Sequence, residues 1–185
     1  MSAKKKFAFD GVDFSRVAIV GSPGSGKTTL SVRLESILQV AAVHLDRELW
    51  LPGWQLRPEE ERKKIHNGLI AADRWLIDGM WGSLVADRYC RATVVVHLDY
   101  PWTLCLARAH RRCRNSRGQQ RFDMADGCPD KMDGEFVRYI MRFDRLVGRK
   151  LRALEAEHPE VTLFRLRSPR QTERFVKQLT EFFSN

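Results

Sequence analysis

The chain has 185 residues, 43% hydrophobic and 30% charged; at roughly 150 residues per domain this is one domain with enough apolar content for a core, which excludes a disordered polymer. Its 32 basic and 23 acidic residues leave a formal charge of +9, and arginine supplies 23 of the basic ones, so the expected partners carry phosphate, as nucleotides or nucleic acid, unless the arginines are merely solvated. No apolar run reaches the ~18 residues of a membrane span, the basic start lacks the apolar core of a secretory signal, and Cys90, Cys105, Cys113 and Cys128 match no metal-knuckle spacing; the expectation is a cytoplasmic protein with free thiols, a monomer or homodimer.

Residues 1–15 read as an N-terminal extension to a single domain at 16–185. Val17-Ala18-Ile19-Val20 is a short apolar run ended by glycine, as a buried parallel strand requires. Leu30, Leu34, Ile37 and Leu38 then recur at helical spacing from Lys27. Ala42 to Leu45 reads as the second strand, and Pro58 opens a helix to about Ala72. Trp75-Leu76-Ile77 is the third strand and Thr93 to Leu98 the fourth; Pro101 opens a helix to about Arg114. Residues 115–132 show little periodicity, and a loop of that length inside a compact domain reads as a lid. A long helix is predicted from Gly134 to Ala156, then a fifth strand from Val161 to Leu166 and a last helix capped at Ser168. This alternation predicts an α/β fold, a five-stranded parallel sheet with helices on both faces, whose ligands bind at the carboxyl ends of the strands.

At the end of the first strand stands Gly21-Ser22-Pro23-Gly24-Ser25-Gly26-Lys27-Thr28. It fits G-x-x-x-x-G-K-[ST] between a strand and a helix, the context that gives the pattern meaning. The loop and the helix start, through Thr29, are predicted to aim N–H groups at a di- or triphosphate. Lys27 is expected on the β- and γ-phosphates and Thr28 on Mg²⁺. Asp46 and Asp78 end the second and third apolar runs. Asp78 is the metal-side carboxylate in this reading and Asp46 the acceptor-side one, each otherwise a strand-end cap. Asp99 reads as a turn former before Pro101.

Arginines are dense from Arg108 to Arg121, with Arg111, Arg112, Arg114 and Arg117 between, and Asp123, Asp126, Asp130 and Asp133 follow. A segment with basic and acidic halves can close over phosphate, and arginines stabilise the charge that spreads over a transferring phosphoryl group. Phe136, Ile140, Phe143 and Val147 form one face of the next helix, while Arg142, Arg145 and Arg149 form another without a carboxylate at helical spacing. That face is solvated, or it meets an anion, with nucleotide phosphates in the crevice preferred over nucleic acid. Trp50, Trp54 and Trp81 flank the acceptor side, to stack on a ring or pack beneath a loop.

These residues carry a resemblance. The run Val17 to Thr28, His44-Leu45-Asp46 with Trp50-Leu51-Pro52-Gly53-Trp54, Trp75 to Gly79, and Asp123-Met124-Ala125-Asp126-Gly127-Cys128-Pro129 are together similar to the bacterial topology modulation protein family. That family resembles adenylate kinase in architecture. The resemblance implies a P-loop NTPase fold with a lid after the fourth strand, ATP binding and phosphotransfer. Adenylate kinases follow the third strand with Asp-Gly-Phe-Pro-Arg; here Asp78-Gly79 leads to Met80-Trp81-Gly82 with no arginine. Arg111-Arg112 resembles the paired arginines at their lid, although its offset from Arg108 is one residue short. The expectation is therefore an ATP- and Mg²⁺-dependent kinase acting on a nucleotide or small molecule, with Lys27, Asp46, Asp78, Arg108, Arg111, Arg112 and Arg117 as catalytic residues. The alternative is a nucleic-acid-associated ATPase affecting DNA topology.

Overall fold

The computed structural model describes residues 6–116 and 121–184. Its strands are β1 (Arg16–Gly21), β2 (Ala42–His44), β3 (Trp50–Leu51), β4 (Gln55–Leu56), β5 (Trp75–Asp78), β6 (Val94–Leu98) and β7 (Thr162–Leu166). Five of them form a sheet in the order β2-β5-β1-β6-β7, with every pairing parallel. β3 and β4 make a separate antiparallel hairpin, which the sequence reading had as plain loop. The helices are α1 (Lys27–Leu38), α2 (Leu45–Leu49), α3 (Glu59–Ala71), α4 (Val85–Arg91), α5 (Trp102–Ser116), α6 (Gly134–Phe143), α7 (Arg149–Glu157) and α8 (Pro169–Phe183). None of the described helices is long and apolar enough to cross a membrane.

Side chains of a strand alternate between its faces, and both faces of β1 are apolar. Val17 and Ile19 enter one core with Leu30 and Leu34 of α1 and Phe175 of α8; Ala18 and Val20 enter the other with Ile70, Val85 and Leu151. The result is the predicted three-layer α/β sandwich. Phe9 and Phe14 are buried against Phe164 and Phe175 with ring centroids 5.6–6.1 Å apart, so residues 6–15 close the first core although they form no regular element.

Two predicted elements differ. The helix expected over 134–156 is α6 and α7 joined by a π turn at Asp144–Gly148. A Cβ at Gly148 would overlap the Asp144 carboxylate, which reaches past it to Arg152 at 2.7 Å. Asp46 was expected on a strand end. β2 instead stops at His44, and Asp46 lies in the first turn of α2, where the exposed backbone N–H groups favour an anion.

The nucleotide-loop backbone is fixed by contact. Gly24 has φ +79°, and a Cβ there would overlap the Cys105 carbonyl oxygen of α5. Gly24→Ala is therefore expected to cost at least about 1–2 kcal/mol from the left-handed backbone alone, lowering the unfolding midpoint by roughly 2–8 °C. Calorimetry checks this, and an unchanged midpoint would show that α5 does not press on the loop.

Candidate active site

The carboxyl ends of β1, β2, β5 and β6 open into a cleft of about 1070 Å³. Pro23 to Thr29 line its floor; Gly21 and Ser22 lie at the base of the loop and give their carbonyls to the Lys27 ammonium at 3.0 and 3.2 Å. Burial pulls the Lys27 pKa below its usual value, and the charges of Asp46 and Asp78 oppose that shift. The Ser25 hydroxyl is buried without a partner among the described residues. A lysine resting on its own loop carbonyls and an orphaned hydroxyl beside it are the features of a cradle built for an external oxyanion.

Asp78 is buried, and one oxygen accepts both from the Ser31 hydroxyl at 2.5 Å and from His44 Nδ1 at 2.7 Å. His44 and Asp78 are register partners on neighbouring parallel strands, so their side chains leave the sheet together. Burial would lower the His44 pKa, but the hydrogen bond and charge of Asp78 outweigh it and raise it. Asp78 was expected beside Thr28; this contact runs instead to Ser31, one turn further along α1. Neither Ser31 nor His44 stood out in the sequence. Ser31 follows Thr28 at i+3, the spacing of one helix face, and that signal was available.

Asp46 accepts from the Trp81 indole N–H at 3.0 Å, and burial pushes its carboxyl above the ordinary range. Behind it, Arg88 of α4 is wholly buried. Its guanidinium donates to the Gly79 carbonyl at 2.8 Å and meets His66 at 3.3 Å, and burial lowers its pKa to about 10 while Asp78 and Asp46 act against that. Sequence reasoning missed Arg88 because its hydrogen-bonded acceptor is a backbone carbonyl.

The lid segment from Arg121 onward is docked. Met124, Ala125 and Cys128 are buried against Trp50 and Trp54. Trp54 lies in the left-handed region at φ 61°, an outlier for so large a side chain. Its backbone N–H donates to Cys128 Sγ at 3.1 Å and its indole to the Pro129 carbonyl at 3.2 Å. A chain of charged hydrogen bonds then crosses the cleft. Thr28 Oγ1 donates to Asp123 at 2.6 Å, Arg121 grips Asp123, Arg121 also reaches Asp130 at 3.3 Å, and Arg112 binds Asp130 at 2.5 and 3.0 Å. Burial alone would raise the Asp123 carboxyl, but Arg121 and Thr28 outweigh it and hold it below the usual range. Thr28, the expected metal-side hydroxyl, thus meets the lid.

Of the other predicted site residues, Arg111 lines the cleft, exposed and without a partner among the described residues. Arg108 lies over the Tyr100 ring at 5.5 Å and donates to the Ser25 carbonyl at 3.3 Å, on the Pro169 and Thr172 side of the cleft. Arg117 falls outside the described residues. Arg142, Arg145 and Arg149 are exposed and do not line the cleft, so of the readings left open by the sequence the one that turns them on nucleotide phosphates in the crevice is not supported. Burial of Ile140, Phe143 and Val147 fixes the helix rotation and turns the arginines away.

Asp130 is the lid's shared anion, so Asp130→Ala leaves Arg112 without its bidentate partner. Amide hydrogen exchange of residues 121–130 should rise at least tenfold while the β1 and β6 amides keep their protection. Unchanged exchange in the lid would contradict the docking role of this chain.

No curated protein matches the chain. Among solved structures it is similar to shikimate kinase from Acinetobacter baumannii in complex with shikimate, at 17% identity over 94% of this chain and 96% of that one, with a TM-score of 0.56; that likeness shows a shared fold. Shikimate kinase from Bacteroides thetaiotaomicron (21% identity, 92% and 98% covered, TM-score 0.49) and an unliganded sugar kinase from Janibacter sp. HTCC2649 (15%, 92% and 92%, 0.48) are also similar. The AAA domain family matches residues 17–138, well over half of the chain, and the protein belongs to this family of P-loop nucleoside-triphosphate-binding proteins.

Proposed function

We propose that the protein is an ATP-dependent phosphotransferase that moves the γ-phosphoryl group to a hydroxyl of a small molecule or nucleotide. The observation that supports this most is the placing of Asp46, a carboxylate raised by burial, in the same lidded cleft as the loop lysine whose charge acts on it. A nucleotide switch has no use for such a base, whereas transfer to a hydroxyl needs one. Similarity to the topology modulation family in the quoted motifs supports the donor half of the reading.

In this scheme the triphosphate lies on Gly21 to Thr29. Lys27 leaves its loop carbonyls for the β- and γ-phosphates, and the Ser25 hydroxyl gains a partner. The adenine end points toward Arg108, Tyr100 and Pro169. Oxygen donors are what Mg²⁺ takes: Thr28 and Asp78 would hold it, and when bound it neutralises phosphate charge. The acceptor oxygen forms the new bond to the γ-phosphorus, the bond from that phosphorus to the β–γ bridging oxygen breaks, and the acceptor proton passes to Asp46. Arg111, Arg112 and Arg121 face the charge that spreads over the transferring group. The docked lid keeps water from competing with the acceptor.

Removing Lys27 takes away a transition-state donor, so Lys27→Met should cut acceptor-dependent ADP release by about 10²–10³-fold with little change in unfolding midpoint. A base must be deprotonated, and burial raises the Asp46 pKa, so activity should fall on acidification at a pH above the ordinary carboxylate value of 3.8. Asp46→Asn should remove that limb and lower the plateau by about 10²–10⁴-fold. Survival of the limb in the variant would take the base role from Asp46.

The second reading, a nucleic-acid-associated ATPase, draws on the exposure of Arg142, Arg145 and Arg149 and their lack of partners among the described residues. If it holds, changing all three to Gln flattens the slope of log K for duplex DNA against log salt by up to ~2.7 and leaves acceptor-dependent ADP release intact. If DNA does not bind with a salt slope that responds to the change, the face is solvated.

A further inference from the structure

Resting on the phosphotransferase reading, the distribution of charge and rings in the cleft names the acceptor class. We propose that the acceptor is an uncharged, ring-bearing alcohol of nucleoside size, and not a phosphorylated or carboxylated compound.

The acceptor end is the part of the cleft lined by Asp46, Trp50, Met80, Trp81 and Tyr139. Its walls are aromatic: Trp50 packs 5.7 Å from Trp81 and 5.4 Å from Trp54. Indole faces stack on flat rings and on sugar faces. Its polar groups are the Asp46 carboxylate, held on one oxygen by Trp81, and the Tyr139 hydroxyl, which has no partner among the described residues. Burial and the nearby charge of Asp46 raise the Tyr139 phenol to about 12, so it stays a neutral donor.

An anionic acceptor needs a cation that is free to meet it. Among the described residues, the cations near this end are already committed: Lys27, whose charge acts most on Asp46, rests on the Gly21 and Ser22 carbonyls, and Lys150 donates to the Gly82 carbonyl at 2.6 Å. Arg62 lies against the far side of the wall, 5.5 Å over Trp81, with its Nε on the Arg57 carbonyl. Arg88 is sealed behind Gly79 and answers Asp46 and Asp78. Lys131 lies over Trp54 with Asp133 at 3.4 Å. Arg121, whose charge also reaches Asp46, is bound to Asp123 and Asp130. Arg111, free among the described residues, stands on α5 with Arg112, beside the phosphate loop and lid. A phosphate or carboxylate at the acceptor end would therefore face Asp46 with no partner among the described residues, and desolvating an unpaired anion beside a carboxylate is strongly unfavourable.

Binding tests this directly, through the intrinsic fluorescence of Trp50 and Trp81, with a non-hydrolysable ATP analogue filling the donor side. The probes are cytidine, guanosine and thymidine, their 5′-monophosphates, and shikimate as a hydroxy acid. At least one free nucleoside is expected to bind tenfold or more tighter than its own monophosphate and than shikimate, and to stimulate ADP release from ATP. In Asp46→Asn the nucleoside-to-monophosphate ratio should shrink toward one, because the repelling charge is gone. Trp50→Ala should weaken nucleoside binding at least tenfold, read from Trp81, while the affinity for the ATP analogue is unchanged. Tighter binding of a monophosphate or of shikimate, or a preference that survives Asp46→Asn, overturns the acceptor class and leaves the phosphotransferase reading standing. No binding of any probe overturns the acceptor class as well. Failure of the ATP analogue to bind overturns the phosphotransferase reading itself.

Discussion

The chain of hydrogen bonds from Thr28 through Asp123, Arg121 and Asp130 to Arg112 joins three parts that the sheet does not connect: the start of α1, the lid and the end of α5. Each carboxylate in it is buried at its side chain and each is met by an arginine. Half of such a network would be worse than none, since a buried unpaired charge costs several kcal/mol. Residues 121–130 therefore dock together or not at all, and Arg121 to Met124 and Asp130 line the cleft as a result. The position of Trp54 follows too, its left-handed backbone held by Cys128 and Pro129 of the same lid.

The same network links closure to chemistry. Thr28 is the hydroxyl that the phosphate-loop pattern reserves for a metal, and Asp123 accepts its proton in this structure. Arg121 and Arg112, which in the proposed reaction would face the transferring phosphoryl group, are balanced by Asp123 and Asp130. Among the described residues the cleft thus holds Arg112 and Arg121 in paired form and leaves Arg111 without a partner near the phosphate loop. The proposed triphosphate donor and uncharged acceptor rest on this distribution of charge.

Legibility in the sequence followed the range of the interaction. The phosphate loop was readable because its glycines, Lys27 and Thr28 act within eight residues and between a strand and a helix. The inner strands β1, β5 and β6 were readable because both faces of each are buried, which leaves continuous apolar runs; the edge strands β2 and β7 are only partly buried and were read from their place in the alternation. Asp78 was found at a strand end, but its partners were not, since His44 meets it only through the β2–β5 register. Asp123 was one of four lid carboxylates until the docking of Met124 and Cys128 on the hairpin tryptophans selected it. The hairpin itself was hidden by two-residue strands. The arginine face of α6 was legible as a face, while its direction was set by Ile140 and Phe143 packing in the two cores.

Where the γ-phosphate of ATP goes separates phosphotransfer from hydrolysis. Phosphorus-31 NMR of ATP with Mg²⁺, protein and the acceptor panel follows that atom directly. A phosphate-monoester resonance should grow in step with ADP, with inorganic phosphate a minor product because the docked lid excludes water. Growth of inorganic phosphate alone, at the same rate with and without an acceptor, would contradict phosphotransfer and leave a hydrolase.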